Sequence, residues 1–349
     1  MIFYTPAGMA RGLRLSRSNP LRFRREAGQD WTGGRVEHIA IIGAGLMGRG
    51  IALAFALAGR RVVVHEADAD RSRDLCSQLQ QDLRQIGADT ATADRITFDA
   101  SLASAVAGAD VVIEAVPEDL PLKRQVFAAI EAAARPDALL GSNTSVIPIT
   151  QIMDGLRHPA RAMGTHWWNP AHLIPLVEVV QGRDTGEAGI AAMMDVLRGI
   201  GKMPVHVRKD VPGFIGNRLQ HAMWREAIAL VEAGVCDAET VDTVVKASFG
   251  QRLAVLGPLE NADLVGTDLA LMVHHYLLPH LDRTPEPQPL LRDLVATGRL
   301  GMKSGTGFRT WTEDAARRVR DDLARHLLAA RPVPGRADPT PFDHKETGS

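Results

Sequence analysis

The chain has 349 residues, more than one compact core usually holds, so two domains are expected. Hydrophobic residues make up 45% of the chain and charged residues 23%, which excludes a wholly disordered protein. The 40 basic and 41 acidic residues leave a formal net charge of −1, which argues against a nucleic-acid-binding or polybasic membrane protein. The sequence has no uninterrupted run of about 18 apolar residues, so no membrane-spanning helix is predicted.

The two ends of the chain differ in composition from its middle. Residues 1–36 carry seven arginines and two acids, a net charge of +5. This pattern favours a basic disordered tail, although its arginines and serines also faintly resemble an organelle transit peptide. The Pro-rich residues 331–349, whose charges cancel, are also predicted to be disordered, which leaves residues 37–330 with a net charge of −6. Cys76 and Cys236 indicate neither a disulfide framework nor a zinc site, and a cytoplasmic location is expected.

Short apolar runs alternate with helical patterns over the first half of the chain. The predicted strands cover residues 38–42, 61–66, 110–116, 138–142, 162–168 and 176–180, and the predicted helices cover about residues 51–58, 71–86 and 122–134. Strands that alternate with helices are typical of a doubly wound parallel sheet, so the fold class predicted here is an α/β Rossmann-type domain.

The apolar spacing changes near residue 208. From Pro212 to Leu281 it is helical throughout, with no convincing strand, and Pro212 lies where a helix can begin without losing a needed N–H. A last helix is predicted over residues 312–330. We therefore expect an α/β domain at 37–207 and an all-helical domain at 208–330.

A glycine-rich turn, Gly43-x-Gly45-x-x-Gly48, lies between the first strand and the first helix. In a dinucleotide-binding turn the first glycine permits the tight bend, the second admits a pyrophosphate and the third lets the helix pack on the strand. Glu66 ends the second strand, where a carboxylate binds a ribose 2′-hydroxyl and repels a 2′-phosphate, so NAD is favoured over NADP. The alternative is a purely structural turn. The candidate cofactor contacts here are Gly43, Gly45, Leu46, Met47, Gly48 and Glu66.

The second region rich in candidate catalytic residues is GTHWWNPAHLIPLVE at 164–178. His166 ends one predicted strand and Glu178 lies in the next. If these strands fold back on each other, the carboxylate fixes one imidazole nitrogen and leaves the other as a general base. A hydrogen-bonded core histidine and a strand-edge charge are the structural alternatives.

Several longer motifs occur in a familiar order, and together they resemble the L-3-hydroxyacyl-CoA dehydrogenase superfamily over residues 38–312. They are IIGAGLMGRGIA, EAVPEDLPLK, SNTS, THWWNP, LVEVV, KDVPGFIGNR and GMKSGTGF. The resemblance implies NAD as cofactor, a helical domain that forms a homodimer, and a catalytic pair formed by His166 and Glu178. It further implies catalytic helper roles for Ser145 and Asn217, and cofactor contacts at Glu118, Lys123, Asn143 and Asn169.

These implied roles have structural alternatives. Ser145 could instead cap the helix predicted near Ile149, and Asn217 could cap the helix that contains it. Asn169 could only shape the turn before a proline. Lys123 could be an ordinary exposed helix lysine.

The substrate is left open between two classes. In acyl-CoA members a long helical hairpin after the second strand helps to hold CoA, but residues 66–110 leave less room for it. Trp167 and Trp168 replace the usual Phe-Phe pair, and NPAHLIPLVE resembles the branch that acts on small acids, such as gulonate, carnitine and pyridine-carboxylate dehydrogenases. We therefore expect oxidation of the 3-hydroxyl of an L-3-hydroxyacyl-CoA or related 3-hydroxy acid, with a small non-CoA substrate as the alternative.

Two other functional classes fit less well. A dehydrogenase of the 6-phosphogluconate-like type would use a lysine base, against which the His-Glu motif argues. A non-catalytic crystallin-like NAD-binding protein would not need intact His166, Glu178, Ser145 and Asn217.

Overall fold

The computed structural model describes residues 36–66 and 68–330, with the backbone alone described at 69–73. The tails predicted to be disordered, at 1–36 and 331–349, lie outside the described residues except for residue 36. Within the described residues, eight strands form one sheet in the order β3-β2-β1-β4-β5-β6-β7-β8. The strands are β1 His38–Ile42, β2 Arg61–His65, β3 Ile96–Asp99, β4 Val111–Glu114, β5 Leu139–Ser142, β6 Ala162–Trp167, β7 Leu176–Val180 and β8 Met203–Val207.

The sheet is parallel from β3 to β6 and then changes direction. β7 pairs antiparallel with β6, and β8 pairs parallel with β7. The Rossmann-type α/β class predicted from the sequence is confirmed, but the sheet is mixed, because β6 and β7 are joined by a short turn without a crossover helix. The sequence reading also missed β3 and β8, whose segments ITFD and MPVHV are short and partly exposed.

Helices cover both faces of this sheet. They are α1 Leu46–Leu57, α2 Ala69–Gln85, α3 Leu102–Ala107, α4 Leu120–Ala133, α5 Ile149–Ile152 and α6 Glu187–Arg198. Alternate residues of β1 point to opposite faces, so Ile39 and Ile41 join one apolar core whereas Ala40 and Ile42 join the other. These side chains are at most 1% exposed, as expected for a strand covered on both sides.

The segment between β2 and β4 contains one long helix. The 17-residue α2 is followed by a single six-residue 3₁₀ turn, Thr90–Arg95, and then by β3. Two long antiparallel helices are therefore not formed in this segment.

Residues 208–215 connect the sheet to a helical region. Its helices are α7 Gly216–Glu232, α8 Ala238–Ala247, α9 Pro258–Val265, α10 Thr267–Leu277, α11 Pro289–Ala296 and α12 Glu313–Ala329. The helical character expected from residue 212 onward is confirmed, but the first helix does not begin at Pro212. Gly213 and Phe214 adopt positive φ angles of 75° and 50°. These left-handed conformations change the direction of the backbone before α7 begins.

Among the described residues, no helix is both long and apolar enough to cross a membrane.

Candidate active site

The glycine turn after β1 has the close packing that its sequence predicts. Gly43 has φ of 106°, and a Cβ there would lie 2.8 Å from the carbonyl oxygen of Ala115. A Cβ on Gly48 would lie 1.9 Å from the carbonyl oxygen of Gly43. Both positions therefore require glycine to let α1 and β4 approach the turn. Gly45 differs, since a Cβ there would meet no atom within 4 Å.

The open side of Gly45 faces a cavity of about 480 Å³. It is lined by the glycine turn together with Leu46, Met47, His65, Glu66, Leu102, Val116, Leu122 and Val126. Because Gly45 leaves space at the N-terminus of α1, the turn can admit a pyrophosphate at the positive end of the helix dipole. The residues present therefore fit a dinucleotide.

Glu66 lies at the end of β2, against the glycine turn. Its carboxylate accepts hydrogen bonds from the backbone N–H of Ala44 at 3.3 Å and of Asp68 at 3.1 Å. Both bonds place a negative charge beside the cavity, where a ribose hydroxyl can donate to it and a phosphate is repelled.

His166 and Glu178 face each other directly across the antiparallel pair β6 and β7. The imidazole Nδ1 lies 2.7 Å from Oε2 of Glu178, and the two residues are 3% and 1% exposed. The change of direction in the sheet thus brings together the two residues that the sequence could only place in neighbouring strands. With Nδ1 held by the carboxylate, Nε2 is the nitrogen that can exchange a proton with a substrate.

The second carboxylate oxygen of Glu178 is held from the helical region. Oε1 accepts the backbone N–H groups of Ile215 at 3.0 Å and Gly216 at 3.1 Å, at the N-terminus of α7. Burial raises the pKa of Glu178, but hydrogen bonds from His166 and from these two amides outweigh it and hold the pKa below its ordinary value. The lowered pKa favours the anionic form of Glu178.

Two aromatic rings enclose the His166 imidazole. Trp168 and Phe214 have ring centroids 5.2 and 5.8 Å from it. Phe214 is 1% exposed even though its positive φ is unfavourable for a bulky residue. The indole of Trp168 packs so closely on Gly216 that a Cβ there would lie 2.3 Å from it. Sequence patterns did not predict that the turn at Phe214 and the Trp168 ring would pack against His166 and the start of α7.

Ser145 and Asn217 contact each other where the loop after β5 meets the start of α7. The side-chain amide of Asn217 donates to the backbone oxygen of Ser145 at 3.0 Å. Neither residue caps a helix, because Pro148 occupies the N-cap of α5 and Ile215 that of α7, both without a capping side-chain bond. The structural alternatives considered for Ser145 and Asn217 are therefore wrong.

Glu118 organises the loop that carries Ser145. Its Oε1 accepts the hydroxyl of Thr144 and the backbone N–H groups of Ser145 and Val146, the two amides at 3.0 and 3.1 Å. Burial raises the pKa of Glu118, but the bond from Thr144 and the charge of Lys123 contribute to lowering it below the ordinary value. Glu118 thus holds the Ser145 backbone as an acceptor whose charged form is favoured.

Lys123 is buried, so the exposed-lysine alternative is wrong. Its Nζ donates to Glu114 at 2.7 Å and to the backbone oxygen of Val116 at 3.2 Å, and lies 3.4 Å from Glu118. Ser142 donates to the other oxygen of Glu114 at 2.6 Å. The sequence reading missed Glu114, although an acid that ends the apolar strand VVIE was a usable signal.

Asn143 follows β5, and Asn169 lies just after β6, the strand that carries His166. Oδ1 of Asn143 accepts the backbone N–H of Trp167 at 3.0 Å, which ties the end of β5 to β6. Asn169 is exposed in the turn to β7. Lys202, which the sequence reading did not single out, steadies this turn by donating to the backbone oxygens of Ala171 at 2.6 Å and Ile174 at 2.8 Å.

Known proteins match this chain over most of its described length. A 5-formyl-3-hydroxy-2-methylpyridine 4-carboxylate 5-dehydrogenase from Mesorhizobium japonicum is 37% identical over 303 residues, which cover 85% of this chain and 98% of that protein. The crystal structure of such a dehydrogenase, described as an NAD⁺-dependent dismutase, matches with a TM-score of 0.78 at 35% identity, over 85% of this chain and 97% of that one. The (S)-3-hydroxybutyryl-CoA dehydrogenase PaaH1 from Ralstonia eutropha matches with a TM-score of 0.66 at 31% identity, over 80% and 100%.

The family models agree with the two structural regions. The NAD-binding domain of 3-hydroxyacyl-CoA dehydrogenase matches residues 38–211, and the C-terminal domain of the same family matches residues 213–311. Together with the glycine turn and its open cavity, these matches show that the chain is an NAD-dependent oxidoreductase and belongs to the 3-hydroxyacyl-CoA dehydrogenase family.

Proposed function

We propose that this protein oxidises a hydroxyl group of a small hydroxy acid to a carbonyl, with NAD as hydride acceptor and His166 as general base. The observation that carries the proposal is the buried contact of 2.7 Å between His166 and Glu178 at the cleft between the sheet and α7. An imidazole held in this way can accept a proton from the substrate, and the resulting imidazolium is stabilised by the adjacent carboxylate.

Each residue of the cleft has a defined task in this proposal. Nε2 of His166 removes the hydroxyl proton while the hydrogen on the same carbon leaves as hydride, so that a C=O bond forms. Glu178 keeps Nδ1 protonated and stabilises the charged ring. Ser145 and Asn217 orient the substrate oxygens. Bound NAD supplies the nicotinamide carbon that receives the hydride.

The cofactor is proposed to lie along the carboxyl ends of β1, β2 and β4. Its pyrophosphate would be held by Gly43, Gly45, Leu46, Met47 and Gly48, and its adenosine ribose would be bound by Glu66. Glu118, Lys123, Asn143 and Asn169 are proposed to border the nicotinamide end. The internal bonds of Glu118, Lys123 and Asn143 favour a role in shaping the loops against which the cofactor rests.

Three observations support a small acid over a CoA ester. The segment after β2 forms one helix and a short 3₁₀ turn, not the long helical hairpin of acyl-CoA members. Residues 37–330 carry a net charge of −6, which disfavours a highly anionic CoA ester. The pyridine-carboxylate dehydrogenase structure also has the higher TM-score of the two compared above. An L-3-hydroxyacyl-CoA is the second candidate, favoured by the family match itself.

The test is NADH formation, followed by absorbance, with a panel of substrates. The panel contains the pyridine carboxylate of the Mesorhizobium relative in its aldehyde and alcohol forms, L-carnitine, L-gulonate and 3-hydroxybutyryl-CoA. We expect turnover of a small acid and loss of turnover in His166→Ala. Faster turnover of the CoA ester would reverse the substrate assignment. Absence of turnover with every substrate would contradict the enzymatic proposal and favour a binding protein.

The helical region is proposed to serve a second purpose, as a dimer interface. We propose a division into residues 37–207, which bind NAD, and residues 208–330, which bind substrate and a second copy of the chain. Large apolar side chains on α9, α10 and the loop before them are highly exposed, among them Val255 at 87%, Leu259 at 80% and Tyr276 at 79%. A surface this apolar favours coverage by a partner. Sedimentation analysis tests the proposed homodimer.

A further inference from the structure

The contact with Glu178 restrains the His166 imidazole at one edge of the ring. Nδ1 lies 2.7 Å from Oε2 of Glu178, and the ring is otherwise attached to the strand through Cβ. The χ2 torsion of a histidine has a broad energy well, so these two anchors leave the imidazole free to swing. Because general-base catalysis depends on where Nε2 points, whatever packs against the ring affects the rate.

Trp168 packs against this imidazole from the same strand. It directly follows β6, two residues after His166, and side chains two residues apart in an extended chain point to the same face. The two ring centroids are 5.2 Å apart, with an interplanar angle of 54°. The indole also packs on Gly216, where a Cβ would lie 2.3 Å from it. Trp168 thus contacts both His166 and the first residue of α7.

Phe214 packs against His166 from the turn before α7. Its ring centroid is 5.8 Å from that of the imidazole, and it is 1% exposed. Its φ of 50° is unfavourable for a bulky residue and persists only where the surroundings impose it. The next two N–H groups along the chain, those of Ile215 and Gly216, donate to Glu178. One strained turn therefore places a ring on His166 and two donors on Glu178.

We propose that Trp168 and Phe214 are positioning residues, whose rings hold the His166 imidazole in the orientation in which Nε2 points at the reacting hydroxyl. The assignment rests on the proposed function, because it takes His166 as the general base. A flexible apolar side chain at either position would fill the space without restraining the imidazole, so a flat ring is required at both.

Single-turnover kinetics on the full chain test this assignment. Enzyme in excess, with saturating NAD, is mixed with the compound of the panel above that the wild-type protein oxidises fastest, and NADH formation is followed by absorbance. We expect Trp168→Leu and Phe214→Leu each to lower the single-turnover rate constant about tenfold, because a misdirected Nε2 slows proton removal. The Kd for NADH should be unchanged. Trp168→Phe keeps a flat ring and should recover most of the rate.

Phe127→Leu is the matched control. Phe127 lies on α4, is 0% exposed and belongs to the same apolar core as Phe214. Among the described residues, the aromatic rings that contact His166 are those of Trp168 and Phe214. Phe127→Leu therefore removes buried apolar area without freeing the imidazole. Its single-turnover rate constant should match that of the wild-type protein, since an unfolded fraction of the enzyme does not change this rate constant.

The assignment is overturned if neither leucine variant lowers the rate constant, if Phe127→Leu lowers it equally, or if Trp168→Phe is as slow as Trp168→Leu. Crystal structures of Trp168→Leu and Phe214→Leu supply a measurement that requires no substrate. We expect a displaced or doubly oriented His166 ring, and an unchanged ring in both variants overturns the assignment. Failure of the proposed function looks different, because the wild-type protein would then oxidise no compound of the panel, or His166→Ala would turn over as fast as wild type.

Discussion

The sheet region and the helical region of this protein differ in what they bury. Among the described residues, every buried polar side chain except Gln288 precedes residue 208, and this set includes Glu114, Lys123, His166 and Glu178. The helical region instead exposes large apolar side chains, and Phe214, Leu294 and Ala316 are its buried apolar residues. The sheet region thus already satisfies its internal charges, whereas the helical region has surfaces that remain to be covered.

This difference explains how the site is assembled. The sheet supplies the titrating pair in fixed register, because β6 and β7 pair His166 with Glu178 directly. The helical region supplies polar groups at the start of α7, where two amides reach Glu178 and Asn217 reaches Ser145. The proposed reacting pair therefore lies in the sheet region, whereas the groups that hold Glu178 and the Ser145 backbone come from the start of α7.

The largest effect is expected for His166→Ala. Loss of a general base lowers the rate by about 10²–10⁴-fold, because no other group removes the hydroxyl proton. NADH binding, measured by fluorescence titration, should be retained. His206→Ala is the control, since His206 is an exposed histidine of the same sheet that contacts Gln181. An active His166→Ala protein would contradict a reacting centre in the sheet region.

A large loss of stability is expected for Lys123→Met. The change leaves the fully buried carboxylate of Glu114 without its cation, which costs about 3–5 kcal/mol of unfolding free energy. Urea denaturation measures the loss, and Lys246→Met, an exposed change on α8, should have little effect. Combining Lys123→Met with Glu114→Leu should recover much of the loss. Equal destabilisation by both lysine variants would contradict the contrast between buried and exposed charges.

The pH dependence of stability should identify Glu178 as a charged group in the folded protein. Its pKa is lowered on folding, so its contribution is fully present above its ordinary value of about 4.5 and is lost as pH falls through the lower, folded value. Unfolding free energy in Glu178→Gln should therefore decline less steeply than in wild type on acidification below about pH 4.5. Asp184→Asn, an exposed change, should follow wild type. If unfolding free energy fell with pH in the same way in all three proteins, an ionised Glu178 held by the two amides would be contradicted.

The smallest effect on catalysis is expected for Leu259→Asp. Leu259 is 80% exposed in the helical region, so a charge there should weaken self-association while leaving the fold of one chain intact. Sedimentation velocity should show a shift toward a smaller species, with NADH affinity unchanged. Glu286→Gln, a change at an exposed charge, is the control. An unchanged sedimentation coefficient in Leu259→Asp would show that this surface is not part of the proposed interface.

Motif spacing was sufficient to predict the glycine turn. Gly43 and Gly48 must be small because their neighbours are close along a strand-turn-helix unit, and such local geometry leaves a direct trace in the sequence. The helical character of residues 212–281 and the last helix were also predicted from apolar spacing, but the start of α7 and the helix α11 at Pro289–Ala296 were not. At the start of α7 the left-handed turn at Phe214 depends on burial against His166, which sequence periodicity does not report.

The sequence by itself determined the α/β-then-helical order, the dinucleotide turn and the residue types needed for a His-Glu base, because these follow from local patterns and from motifs that occur in order. Tertiary structure decided that β7 runs antiparallel to β6, that α7 donates its first amides to Glu178, and that Lys123 is buried against Glu114. Each of these contacts joins segments 9 to 38 positions apart whose approach depends on packing of the whole sheet. The residue types of the proposed site are thus a property of the sequence, whereas their contacts and orientation are properties of the fold.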